Sequence, residues 1–291
     1  MIDDAHRQRL KHALENVSSL PAMPAIAQKL LALPLDTEKG EAQLVNLIGQ
    51  DPQISARVIG LANSPLMGFT RKINVVSDAV MVLGLTKVKS VAIGIASMSN
   101  FSKLPAGEHF DPHDLWLHSM TMAIIMRSIA QAMPRNLRPN EDQIFLAGLL
   151  HDIGFMALHH VDHVASNELH SQLQLQPTRP VMEVEMETLG ITHCKIGMQL
   201  AKHWNLPSEI CFVLGNHHPP FVEASTIDNP LVRLLNLAEK LEPDFGLAEH
   251  TSAPVEDEDW LKLGIPVDYA DEIVDLVNEL AMQVAQQGDV F

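Results

Sequence analysis

The chain has 291 residues, 46% of them apolar, and a formal net charge of -16. The apolar share supports a sizeable core in one large domain or two small ones and excludes a disordered chain. The acidity disfavours a nucleic-acid-binding face or an anionic membrane surface, and Lys and Arg form no run that would make a local basic groove.

Residues 5–17 form a polar-rich helix candidate, and Leu20-Pro21-Ala22-Met23-Pro24 breaks it because each Pro disfavours a helical residue before it. A helix over 25–33 carries Ile26, Leu30, Leu31 and Leu33. Asp36-Thr37 caps a helix through Ile48 that Gly49 stops. Asp51-Pro52 combines an N-cap acceptor with Pro at the first helical position, opening a helix through Ile54, Val58, Leu61 and Ala62. Residues 66–76 read as a loop, Ser77 as the cap of a helix over 78–83, Gly84 as its stop, and Thr86 as the cap of a helix over 87–98. Pro105, Gly107 and Pro112 mark a hinge over 102–112. A long helix from His113 to Met133 puts Leu115, His118, Met122, Ile125 and Ile129 on one face. A turn over 134–140 leads to a helix over 141–158, and 159–180 reads as a polar loop with one short helix. Thr192 caps a helix through Trp204, Ser208 opens another to Gly215-Asn216, and Asn229-Pro230 opens one through Leu241. Residues 244–259 read as an acidic loop and 268–286 as a final amphipathic helix. No run alternates as a strand would, so the fold class is all-α.

Cys194 and Cys211 are too few for a disulfide framework and read as reduced core thiols. The polar opening Met1-Ile2-Asp3-Asp4-Ala5-His6 is not a secretion signal. No uninterrupted apolar run nears about 18 residues, so no membrane span is expected and the cytoplasm is the default compartment.

The stretch with the most chemistry is Phe145-Leu146-Ala147-Gly148-Leu149-Leu150-His151-Asp152-Ile153-Gly154, which places two metal-binding side chains at the end of an apolar helical run. His118, His193, His217, His218 and Glu239 also sit in or beside apolar helical patterns. Any one of these histidines alone reads as a hydrogen-bonded core residue. Together they make a candidate metal centre, since imidazole and carboxylate suit Fe, Mn, Zn and similar ions. A buried Glu239 needs a partner. His159, His160, His163 and His170 lie in polar surroundings and read as surface residues, and Glu183, Glu185 and Glu187 as a solvated face.

Leu20-Pro21-x-Met23-Pro24, Leu30-Leu31, Ile48-x-x-Asp51-Pro52, Leu61-Ala62-Asn63-Ser64 and Ala79-x-x-x-Leu83-Gly84 follow one another in an order and spacing that resembles the HDOD family over roughly residues 15–240. These are bacterial signalling proteins related to the HD superfamily of metal-dependent phosphohydrolases. The resemblance implies an N-terminal helical lobe (1–105) packed on an HD-like helical lobe (106–291). It also implies one or two divalent ions, Fe or Mn favoured, Zn or Mg possible. One ion would be held by His118, His151, Asp152 and Glu239, and the second by Asp152, His193, His217 and His218. An active enzyme would use a metal-bound water at Asp152 on a phosphate ester. Three departures stand out. The distal Asp of the superfamily is Glu239; the Lys that follows His-Asp-Ile-Gly in many active hydrolases is Phe155; and Pro219-Pro220-Phe221 replaces the Gly-Tyr-Pro signature of cyclic-di-GMP phosphodiesterases.

Two functions are therefore expected to compete. One is a regulatory module that binds metal with little or no turnover and works through a signalling protein partner or a small nucleotide ligand. The other is a metal-dependent phosphohydrolase acting on a nucleotide, cyclic dinucleotide or other phosphoester. No sensor or receiver domain precedes the motifs, so input is expected from another chain. A nucleic-acid-binding reading of the helix pair over 78–98 is opposed by the net charge.

Overall fold

A computed structural model describes residues 2–15, 19–63, 71–101, 104–218, 229–242 and 254–286. Among them there are helices and no strand. The first helices are α1 (Asp4–Glu15), α2 (Ala25–Leu31), α3 (Glu38–Gly49), α4 (Pro52–Asn63), α5 (Val76–Leu83) and α6 (Leu85–Met98), the last followed by a 3-10 turn, Ser99–Phe101. Then come α7 (Pro112–Ala132), α8 (Glu141–Leu150), α9 (Ile153–Val161), α10 (His163–Leu175), α11 (Val181–Thr188), α12 (His193–His203) and α13 (Ser208–Asn216). The chain closes with α14 (Pro230–Leu241), α15 (Asp257–Lys262), a 3-10 turn and α16 (Ala270–Gln286).

Side-chain caps set several of these starts. Thr37 accepts from the Gly40 amide, Asp51 from Gln53 and Ile54, Asn229 from Leu231 and Val232, and Thr192 from Lys195. Ser77 and Thr86 are not caps. α5 begins at Val76 from an extended Val75, and α6 begins at Leu85 directly from Gly84. Gly84 serves both helices because its φ of +87° allows a reversal that other residues resist. The two helices bend by 120° there. α2 stops at Leu31, two residues short of the expected Leu33. The expected loop over 66–76 has no regular secondary structure where described before α5, at 71–75, and Ser64 to Thr70 lie outside the described residues.

α6 and α8 are the central helices. α6 packs on α2, α4 and α8, and α8 packs on α6, α7, α13 and α14. α6 is buried from Ser90 to Met98, so its side chains are core. α8 is buried from Ile144 to Leu150. The stretch Glu141–Val161 is long and apolar enough to cross a membrane by length and composition, a match missed when uninterrupted apolar runs alone are counted, yet 89% of its window is buried inside the protein. α16 and α14 pack on α7. α1 packs on α9 and α12, and the Trp204 indole at the end of α12 donates to the Pro21 carbonyl at 2.8 Å.

Two sequence expectations fail in the second half. The helix expected over 141–158 breaks at His151-Asp152, where Asp152 leaves helical geometry (φ -100°, ψ 14°), and a new helix continues to Val161. The expected polar loop over 159–180 is mostly α9 and the 13-residue α10. Its histidines divide accordingly. His159 and His170 are 2% and 1% exposed, whereas His160 and His163 are exposed as expected. Within the expected acidic loop over 244–259, 244–253 lie outside the described residues and α15 begins at Asp257.

Candidate metal centre

The break between α8 and α9 turns Asp152 into the middle of a polar cluster. Its Oδ2 lies 3.2 Å from His118 Nε2 and 3.1 Å from His151 Nε2. Its Oδ1 lies 3.4 Å from His193 Nε2 and 3.2 Å from His217 Nε2. The paired imidazoles are equally close, with Nε2 atoms 3.0 Å apart for His118–His151 and for His193–His217. Two trios of donor atoms thus share one carboxylate, and His218 joins the second trio.

These separations fit a metal ion. Donors about 2.1 Å from one ion at octahedral or tetrahedral angles lie roughly 3.0–3.4 Å from each other. All six edges of the two trios fall between 3.0 and 3.4 Å. The ring orientations agree. His151 Nδ1 donates to the Gly148 carbonyl at 2.9 Å, His217 Nδ1 to Leu214 at 3.1 Å, His193 Nδ1 to Glu185 Oε1 at 2.9 Å and His118 Nδ1 to Glu242 Oε2 at 2.7 Å. Because these partners only accept, each Nδ1 carries the proton and each Nε2 presents a lone pair inward. Lone pairs facing each other at 3.0 Å repel unless a cation, proton or metal, lies among them.

Titration follows the same geometry. Burial opposes ionisation of Asp152, but His151 beside it, and protons on the Nε2 atoms of His118, His151 and His217 where no metal takes their place, hold its carboxyl well below the usual carboxylate range. Burial would lower His118, yet Glu242 and Asp152 raise it well above an ordinary imidazole. His193 is likewise raised, against burial, by Cys194 and Glu185. His151 and His218 are lowered, chiefly by burial. The Cys194 thiol stands 3.4 Å from His193 Nε2 and is drawn down to about 6 by His193 and His217, against burial.

Glu239 is the expected ligand that the structure does not place with His118. Its nearest ionic partner is His218 Nδ1, 3.8 Å from Oε2, and burial pushes its carboxyl up to about 8. The carboxylate that meets His118 is Glu242, one helical turn further on. Glu185, read as solvated, is fully buried and accepts from both the amide (2.8 Å) and Nδ1 of His193. Its helical spacing with Val181 and Val184 was the available signal, since all three lie on one buried face of α11.

Two packing features fix the frame. Gly154 lies so close to α12 that a Cβ there would collide with the carbonyl group of His193. Phe155, fully buried, stacks on the His193 ring at 4.2 Å and 18°, walling the cluster with an apolar face.

The sequence matches the HDOD domain family over residues 20–220. Solved structures of similar fold include one from Marinobacter aquaeolei VT8, described as a candidate signal transduction protein (24% identity, TM-score 0.76, 98% of this chain and 66% of that one). An HDOD domain protein of unknown function from Geobacter sulfurreducens is 25% identical with TM-score 0.66, over 94% of this chain and 99% of that one. A protein from Shewanella amazonensis SB2B described as a candidate metal-dependent phosphohydrolase is 20% identical with TM-score 0.62, over 97% and 100%. An uncharacterized protein of Treponema pallidum (strain Nichols) is 22% identical over 244 residues, 79% of this chain. The chain spans 46% of that curated relative's length.

Proposed function

The chain belongs to the HDOD family, and from that premise we propose that it is a regulatory module whose HD-like lobe binds divalent metal with little or no turnover. His118, His151 and Asp152 would hold one ion, and Asp152, His193, His217 and His218 a second. Fe or Mn suits this imidazole and carboxylate set best, with Zn or Mg as substitutes. An ion there would supply Lewis-acid polarisation of a phosphoryl oxygen. The protein's own residues do the rest: Glu185 and Glu242 orient His193 and His118, and Gly148 and Leu214 carbonyls orient His151 and His217.

The observation that carries the regulatory reading is Phe155. Its ring covers His193 at the sequence position where the family resemblance sets a lysine in active hydrolases. A preorganised cation is what would stabilise the charge growing on a phosphoryl group in the transition state. A buried phenyl ring offers no such charge. At 20–24% identity the relatives named for signalling and for phosphohydrolysis share the fold alone, so the choice rests on this residue. Output would pass through a signalling protein partner or a small nucleotide ligand in the cytoplasm. No nucleic-acid or membrane role is assigned: α6 is core, and so is the apolar stretch at 141–161.

The second reading, a metal-dependent phosphohydrolase, is favoured by the bridging position of Asp152 between two donor trios. One experiment separates them. The purified protein is stripped, reloaded with Fe(II), Mn(II) or Zn(II), counted by elemental analysis and assayed on nucleotides, cyclic dinucleotides and a generic phosphoester. The regulatory reading expects up to two ions per chain, fewer in Asp152→Asn, and no metal-dependent turnover. Turnover abolished by His151→Ala establishes the hydrolase instead. A protein that gains no metal overturns both.

A further inference from the structure

A cavity of ≈ 200 Å³ lies between the start of α4, the end of α6 and the start of α7, with Met156 of α9 on its wall, and none of its lining residues is a metal donor. That is room for a small metabolite. Ile54, Ile95, Met98, Phe101 and Met156 make an apolar lining. The charged lining consists of Arg57, Asp51 and Asp111.

Arg57 is the informative residue. Its guanidinium lies over the Trp116 ring, 4.3 Å from the centroid, and burial lowers its pKa. Among the described residues it makes no ion pair or hydrogen bond, although two carboxylates line the same cavity. A partly desolvated guanidinium held over an indole presents a ready fork to a carboxylate. Trp116 itself is buried, and its indole N–H has no acceptor among the described residues. The two aspartates each commit one oxygen to a helix start: Asp51 Oδ1 accepts from Gln53 and Ile54, and Asp111 Oδ1 from His113. Each sits where a helix N-terminus offsets about half a charge. The cavity therefore carries one cationic side chain, two carboxylates whose charge is partly offset, and an apolar lining.

We propose that this cavity binds an α-amino acid with an apolar side chain, its carboxylate on Arg57, its ammonium on Asp51 or Asp111, and its side chain against Ile54, Ile95, Met98 and Met156. A simple anion meets two carboxylates there and a simple cation meets Arg57, whereas a zwitterion offers a partner to both kinds of charge. The proposal does not depend on the metal reading, because no lining residue belongs to either donor trio.

The test uses the full chain. Isothermal titration and thermal shift are run with leucine, methionine and phenylalanine, and with two truncated analogues of leucine, 3-methylbutylamine and 4-methylpentanoate. Leucine or methionine is expected to bind and raise the melting temperature. Each truncated analogue is expected to bind at least about tenfold more weakly, since a lost charged hydrogen bond costs about 1.4 kcal/mol or more. Arg57→Met, which still covers Trp116, should lose binding, and Arg57→Lys should retain part of it. Circular dichroism without ligand establishes that each variant is folded; if Arg57→Met is not, the analogue series on the unaltered chain decides. The proposal is overturned if none of the three amino acids binds at up to about 10 mM, if the analogues bind as well as leucine, or if folded Arg57→Met binds like the unaltered chain.

Discussion

Glu185→Gln is the sharpest perturbation of the centre, because it changes one charge and almost no volume. Glu185 Oε1 accepts two hydrogen bonds from His193, from the backbone amide at 2.8 Å and from Nδ1 at 2.9 Å, with both side chains fully buried. A glutamine oxygen can accept both, but without charge. Charged hydrogen bonds contribute about 1 kcal/mol more than neutral ones, so two of them amount to about 2 kcal/mol. Some of that acts on the basicity and aim of His193 Nε2, the atom facing Asp152 and His217. The expected result is a weakening of metal binding at the His193–His217 position by up to about thirtyfold. The His118–His151 position, which Glu185 does not touch, should change only a few-fold through the shared Asp152. Competition with a chromophoric chelator resolves the two affinity steps, and elemental analysis fixes their stoichiometry. If both steps weaken equally, or neither moves, then Glu185 does not act through His193 and the division into two trios is wrong.

Glu242→Gln should weaken the other step, while Glu239→Gln should leave it within a few-fold, because Glu242 and not Glu239 meets His118; chelator competition checks the contrast. Gly154→Ala should cost roughly 2–3 kcal/mol in urea unfolding, since the added methyl meets the backbone of His193 and α9 must move off α12. His170, buried, has its pKa lowered to about 4 from an ordinary 6.5, first by burial. Between those values the unfolded chain holds a proton that the folded chain does not. The stabilisation is complete above pH 6.5 and lost as pH falls toward 4, on the order of 3 kcal/mol in total. His170→Gln should remove that part of the slope in urea titrations run from pH 7 to 4.5; an unchanged slope rules the assignment out.

Most of the fold is legible in local chemistry. The Asp51-Pro52 and Asn229-Pro230 starts and the Gly84 reversal each depend on residues adjacent in sequence, and each stands where the sequence puts it. Ser77 and Thr86 mislead because a cap residue is a preference: α5 starts one residue before Ser77, from extended Val75, and α6 starts one residue before Thr86, directly from Gly84. The break at His151-Asp152 is invisible to periodicity, which runs on through Ile153 and Phe155; it coincides with the polar cluster that distant residues build around Asp152. His170 and Glu185 were misread from composition. Polar residues are frequent in both stretches, but Ser166, Leu169 and Leu173 around His170, and Val181 and Val184 around Glu185, are buried with them on one helical face. Which carboxylate reaches His118 depends on how α14 ends against α7, and no local pattern encodes that.

The contact between Trp204 and the Pro21 carbonyl has a mechanical side. α1 leans on α9 and α12, and Arg7 donates to the Glu187 carbonyl at the end of α11. The start of the chain is thus clamped to the helices that carry His193 and Phe155, across more than a hundred intervening residues. A pull or twist applied ahead of residue 4 would load that region first and reach α2 to α6 only afterwards. In a force-spectroscopy trace, with one handle at each terminus, the peeling of α1 from α9 and α12 should come as the earliest event.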